Sequence, residues 1–190
     1  MQLLLFVAVW LQILSTVAGY PNGAPVDRCG NMTPGHNVLP QTSSSPYTIM
    51  ISNNTFRPNE PIRVMIEGPV YLGVLLQARS SSGTDAIGTW GIPPPNTKYL
   101  ACSGNGQSAI THSSIINKNN KTIYTWIPPE SLQTAFIRAT VVANRTTFWI
   151  NLTSERLTRA PGGGGNTAAD AKMAAASVVF LTLLSSMVVQ

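Results

Sequence analysis

Two cysteines, two histidines and seven carboxylates are the side chains from which metal, redox or acid–base chemistry could be built in this chain of 190 residues. The histidines are His36, in the opening segment Met32-Thr-Pro-Gly-His36, and His112, read as part of a Thr111-His-Ser113 loop after Cys102. Neither has a cysteine or carboxylate cluster beside it, so they fall short of a metal-ligand set and read as structural histidines near the cysteines. Ser113 adjoins His112, but a triad needs partners that converge in space, and no supporting acid is indicated. The acidic residues form no close pair suited to glycoside hydrolysis. The run Gly162–Gly165 lacks the strand–helix context of a phosphate loop. The expectation is no catalytic residue, no metal site and no cofactor. Thiol chemistry at Cys29 and Cys102 remains. The two either pair or sit apart as buried thiols. Pairing would close a long loop, worth roughly 4 kcal/mol by chain entropy.

The compartment decides between those alternatives, and the two ends of the chain bear on it. Residues 1–19 are an apolar run ending in Val17-Ala-Gly19 and read as a secretory signal peptide. Residues 159–172 are a Gly-rich polar linker, and 173–190 a hydrophobic tail that ends without a basic flank. Small residues, a polar spacer and a terminal apolar stretch make the pattern of a GPI-attachment signal. Asn166 suits the attachment site, with Gly164 and Gly165 as competitors. The alternative is a single-pass or tail-anchoring helix, for which the tail is short. These readings place the mature protein outside the cell, anchored on the outer leaflet or else freely secreted. An oxidising compartment makes a disulfide the default for two cysteines.

Charged residues are only 10% of the chain, and Ser, Thr, Asn, Gly and Pro fill the polar quota, which suits a turn-rich sheet protein. The net charge of +5 is spread over basic residues that form no block, whereas a nucleic-acid binder would cluster them. No nucleic-acid partner is expected. Five Asn-x-Thr sequons, at Asn31, Asn53, Asn120, Asn144 and Asn151, are candidate N-glycosylation sites and surface markers. Asn151 is the least secure, because it falls inside a strand pattern.

These groups must be positioned by strands. Tyr20 to Pro46 reads as an extended opening segment pinned by Cys29. Strands are expected at Tyr47–Ser52, then at Ile62–Glu67, where Ile62, Val64 and Ile66 share one face. Tyr71–Arg79 is almost continuously apolar and reads as a central strand buried on both faces. Ala86–Trp90, Tyr99–Cys102 and Thr122–Ile127 follow, the last halted by Pro128-Pro129. Ala135–Ala143 and Thr146–Leu152 read as a hairpin across Asn144-Arg145. Seven to nine short strands with turns between them argue for an all-β, immunoglobulin-like antiparallel β-sandwich. Trp90, Trp126 and Trp149 are most simply core or core-edge aromatics, with a sugar-stacking platform as the alternative.

A family resemblance attaches to several motifs in order. Tyr20-Pro-Asn-Gly-Ala-Pro25, Cys29, Met32-Thr-Pro-Gly-His36, Pro40-Gln41 and Pro46-Tyr47 resemble the opening of a reeler (reelin-type) domain. So do Gly73–Arg79, Thr111-His-Ser113, Thr125-Trp126 with Pro128, and Phe148-Trp149. The resemblance covers residues 20–158. It implies an extracellular sandwich in which Cys29–Cys102 is the internal staple. Such domains occur in matrix proteins, at the N-terminus of the ferric-chelate reductase family, and alone in insect defence proteins. This chain is similar to the last arrangement but carries the GPI-like tail. In the reductase family the redox work belongs to a haem-bearing multi-span domain, which nothing here supplies. The expected function is a non-enzymatic binding module of innate defence, with glycan, microbial-surface or extracellular protein ligands and a membrane link through a lipid anchor. The alternatives are an adhesion or matrix module that binds proteins or sulfated glycans, and an oxidoreductase accessory.

Overall fold

The computed structural model describes residues 20–36 and 38–161. The expected signal peptide (residues 1–19), the hydrophobic tail (173–190) and the attachment candidates Gly164, Gly165 and Asn166 lie outside the described residues. Eleven strands are present among them: β1 (Thr48–Ile51), β2 (Thr55–Phe56), β3 (Ile62–Glu67), β4 (Gly73–Arg79), β5 (Thr89–Trp90), β6 (Thr97–Cys102), β7 (Asn105–His112), β8 (Tyr124–Ile127), β9 (Thr134–Asn144), β10 (Thr147–Thr153) and β11 (Leu157–Arg159). They form two sheets. One has the order β1-β3-β8-β5. The other runs β2-β11-β9-β4-β7-β6, with β10 also paired to β9. Every pairing is antiparallel except β2 with β11. This is an all-β, immunoglobulin-like sandwich.

Alternation builds the space between the sheets. On β3, Ile62, Val64 and Ile66 point inward while Arg63 and Glu67 stay exposed. On β9, Ala135, Ile137, Ala139 and Val141 do the same from the other side. Trp90 and Trp126 fill the centre, at 1% and 0% exposure, so neither ring is offered to solvent as a stacking face. Each indole N–H is satisfied: Trp90 donates to the Ser108 carbonyl at 3.1 Å and Trp126 to the Ile87 carbonyl at 2.9 Å. Trp149 packs at the core edge and donates to Ser43 O at 3.2 Å. Tyr71 and Tyr124, both buried, share a hydroxyl–hydroxyl hydrogen bond of 3.0 Å.

The second face of the larger sheet is covered by the opening segment. All seven residues of β4 are buried. Val74, Leu76 and Ala78 join the main core, whereas Leu75 joins a smaller cluster with Met32, Leu100, Cys102 and Ala109. The Cys29–Cys102 disulfide, with Cα atoms 5.6 Å apart, ties the opening segment to β6. Burying Met32 contributes about 1.5–3 kcal/mol, and that residue adopts a left-handed φ of 55°.

Three local expectations differ from what is observed. The stretch after Cys102 is strand β7, paired to β6 across the two-residue turn Ser103-Gly104, whose φ values are 50° and 78°. His112 therefore ends a strand and does not sit in a loop. The β9–β10 hairpin turns at Arg145-Thr146, because Asn144 pairs with Thr147.

Candidate functional site

The outer face of the larger sheet and the strap formed by residues 20–36 enclose a pocket of about 360 Å³. Its floor is Leu72 and the first residues of β4, Gly73–Leu75, with Thr140 and Val142 of β9 and His112 at the end of β7. Its roof comes from the strap, through Tyr20, Pro21, Ala24, Met32 and Pro34. Ile115 and Arg145 complete the rim.

The strap stays down because its backbone is hydrogen-bonded to the sheet. Thr111 Oγ1 donates to Val74 O at 2.9 Å and accepts from Ala24 N–H at 2.9 Å. Thr140 Oγ1 donates to Met32 O at 2.5 Å. Gln77 Nε2 donates to Cys29 O at 3.2 Å, and the Arg79 guanidinium donates to the same carbonyl. Arg79 also donates to Gln77 Oε1 at 2.8 Å, which fixes the glutamine. Gly23, at φ 104°, passes so close to the sheet that a Cβ there would strike the His112 carbonyl oxygen.

His112 is the central polar group. With Nε2 donating to Tyr20 O at 2.8 Å, Nδ1 accepts from Val74 N–H at 3.3 Å. Burial lowers its pKa, and the Tyr20 and Val74 carbonyl oxygens, which accept from the protonated ring, oppose that shift. The neutral ring is a bracket between strap and sheet. Both nitrogens are engaged with backbone, so neither activates Ser113. His36, on the strap, has its pKa lowered by burial and by the Arg145 charge. It packs edge-on against Phe148 at 5.3 Å, and its Nδ1 is buried without a hydrogen-bond partner. The two histidines line one pocket, a proximity the sequence did not reveal. No group of three or more potential metal ligands occurs among the described residues.

Two of the scattered basic residues are buried. Arg79 is 5% exposed and Lys118 is 2% exposed. Lys118 Nζ donates to Leu72 O, Ser114 O and Ile116 O at 2.9, 3.0 and 2.9 Å, pinning the loop after β7 beside the pocket. Burial pushes its pKa down to about 8. All five sequon asparagines are exposed. Asn151 lies in β10 at a bulge, with φ 60°, which turns it away from the regular pleat.

Fold and strap together define a disulfide-bonded, immunoglobulin-like sandwich with a pocket on one outer face. The chain belongs to the Reeler domain family, whose model matches residues 27–163. It is 33% identical over 159 residues to "Putative defense protein 3" of Antheraea mylitta, covering 80% of this chain and 94% of that one. It is 37% identical over 150 residues to "Putative defense protein Hdd11" of Hyphantria cunea, covering 74% and 89%. "Putative ferric-chelate reductase 1" of Danio rerio is 32% identical over 172 residues, covering 87% of this chain but 29% of that one. Among solved structures, the Reelin-N domain of F-spondin superposes with a TM-score of 0.52 at 15% identity, over 73% of this chain and all of that one. That likeness concerns the fold.

Proposed function

We propose that this chain is an extracellular, non-enzymatic recognition module of innate defence. In this reading it is held on the outer leaflet by a lipid anchor, carries N-linked glycans, and binds microbial-surface polymers or other glycans. The observation that carries the reading is length. The defence-named relatives align over 94% and 89% of their own chains, so the match spans nearly all of each of them. The activity in the reductase's name belongs to a protein of which this chain spans 29%, and it forms no part of the reading. The pocket chemistry is compatible with binding, because His112 is committed to holding backbone in place.

The test uses the glycosylated, disulfide-bonded protein with whole bacteria and purified wall polymers. Retention above that of an unrelated sandwich domain of matched charge is expected, and its absence would reject the binding reading. Anchoring is tested separately, by treating expressing cells with phosphatidylinositol-specific phospholipase C. Release into the medium is expected. Retention with the enzyme active on a control protein would replace the lipid anchor by a helix.

A further inference from the structure

The geometry points to the strap pocket as a site for a small single-chain amphiphile with an anionic head, such as a medium-chain carboxylate. This goes beyond surface recognition of polymers and does not depend on it. The pocket volume of about 360 Å³ lies within the usual size of small-molecule sites, roughly 300–1,000 Å³. Its apolar lining comes from Met32, Leu72, Val74, Leu75 and Val142. Ile115, at the rim, is 61% exposed, so an occupying chain would cover apolar surface that now faces water.

Charge selects the head group. Arg28 and Arg145 line the pocket, and no aspartate or glutamate does. Asp27 Oδ2 lies 3.5 Å from Arg28 Nε, yet that nitrogen is buried and makes no hydrogen bond. A carboxylate head reaching the Arg28 guanidinium would make a charge-assisted pair, and such pairs are about twice as strong as neutral ones. His36, another lining residue, also has a ring nitrogen without a hydrogen-bond partner, Nδ1. Covalent tethering of the strap preorganises the roof, so little ordering is needed on binding. A membrane lipid would have to leave its bilayer to reach beneath the strap, which favours a free monomeric ligand.

Calorimetric titration of the native protein with dodecanoate, below its micelle concentration, tests the site. Saturable one-to-one binding is expected, with none for dodecyltrimethylammonium of the same chain length. Arg28→Glu should weaken dodecanoate binding by about tenfold or more. Val142→Trp should abolish it by filling the pocket, and Leu72→Trp serves if that variant does not fold. Thermal unfolding like that of the parent qualifies each variant. The proposal is overturned by no saturable dodecanoate binding, by equal binding of the cation, or by binding indifferent to a folded pocket-filling variant. Retention on phosphatidylglycerol vesicles without dodecanoate binding would also overturn it, in favour of a membrane contact.

Discussion

At the scale of single residues, His112 shows how a potentially catalytic side chain can be used as a structural part. Its folded pKa is depressed, chiefly by burial. The unfolded chain therefore binds a proton that the native state resists. That stability is fully present above the ordinary imidazole value of 6.5 and is lost as pH falls towards the folded value. His36 contributes in the same direction. Urea denaturation at pH 7.5 and at pH 5 should show a lower midpoint at the acid end. His112→Gln should flatten that difference while lowering stability at neutral pH. An equal slope in parent and variant would assign the effect elsewhere. None of this was legible from the sequence, because the partner of His112 is the Tyr20 carbonyl, 92 positions away. What could be read was only that no acid or thiol cluster accompanied either histidine.

At the scale of elements, legibility followed periodicity. The alternation of β3 and the almost continuous apolar run of β4 specified an inward face and a doubly buried strand, and both are observed. β7 was missed because it begins Asn105-Gly-Gln and leaves the first residues exposed. Its burial starts at Ser108, under the strap and the facing sheet. β2 and β11 are two and three residues long, too short for any pattern. The strap was foreseen as a pinned coil, but its role as the cover of β4 emerges only from the packing. Two substitutions probe it. Gly23→Ala forces a Cβ onto the His112 carbonyl at a φ that disfavours side chains. It should loosen the strap and raise hydrogen exchange at Ala24 more than in the inter-sheet core. Cys102→Ser removes the tether and should cost about 2–5 kcal/mol in equilibrium unfolding, with poor secretion. A Cys102→Ser protein of parental stability would show that the hydrogen bonds alone hold the strap.

At the scale of the whole molecule, the sequons sample several surfaces: the strap at Asn31, the β1–β2 turn at Asn53, the loop before β8 at Asn120, the β9–β10 hairpin at Asn144 and the β10 bulge at Asn151. Each is exposed. Protein from a secretory host should lose mass on enzymatic deglycosylation. Each Asn→Gln variant should remove one increment, Asn151 included. An unchanged mass for Asn151→Gln would mean that the bulge, though exposed, is not an acceptor.

The parallel pairing of β2 with β11 sets a timetable. Thr55 aligns with Thr158, and Phe56 with Arg159, so one of the first strands takes its neighbour from the end of the described fold. During synthesis Phe56 emerges long before Leu157, and its ladder stays open until nearly the whole domain has been translated. The β6–β7 hairpin can form early, because its pairing is local. Cys102 can also meet Cys29 before β11 exists. The molecule can thus be cross-linked before it is closed, and a nascent chain stalled ahead of residue 157 should already lack free thiols while remaining open to protease at β2.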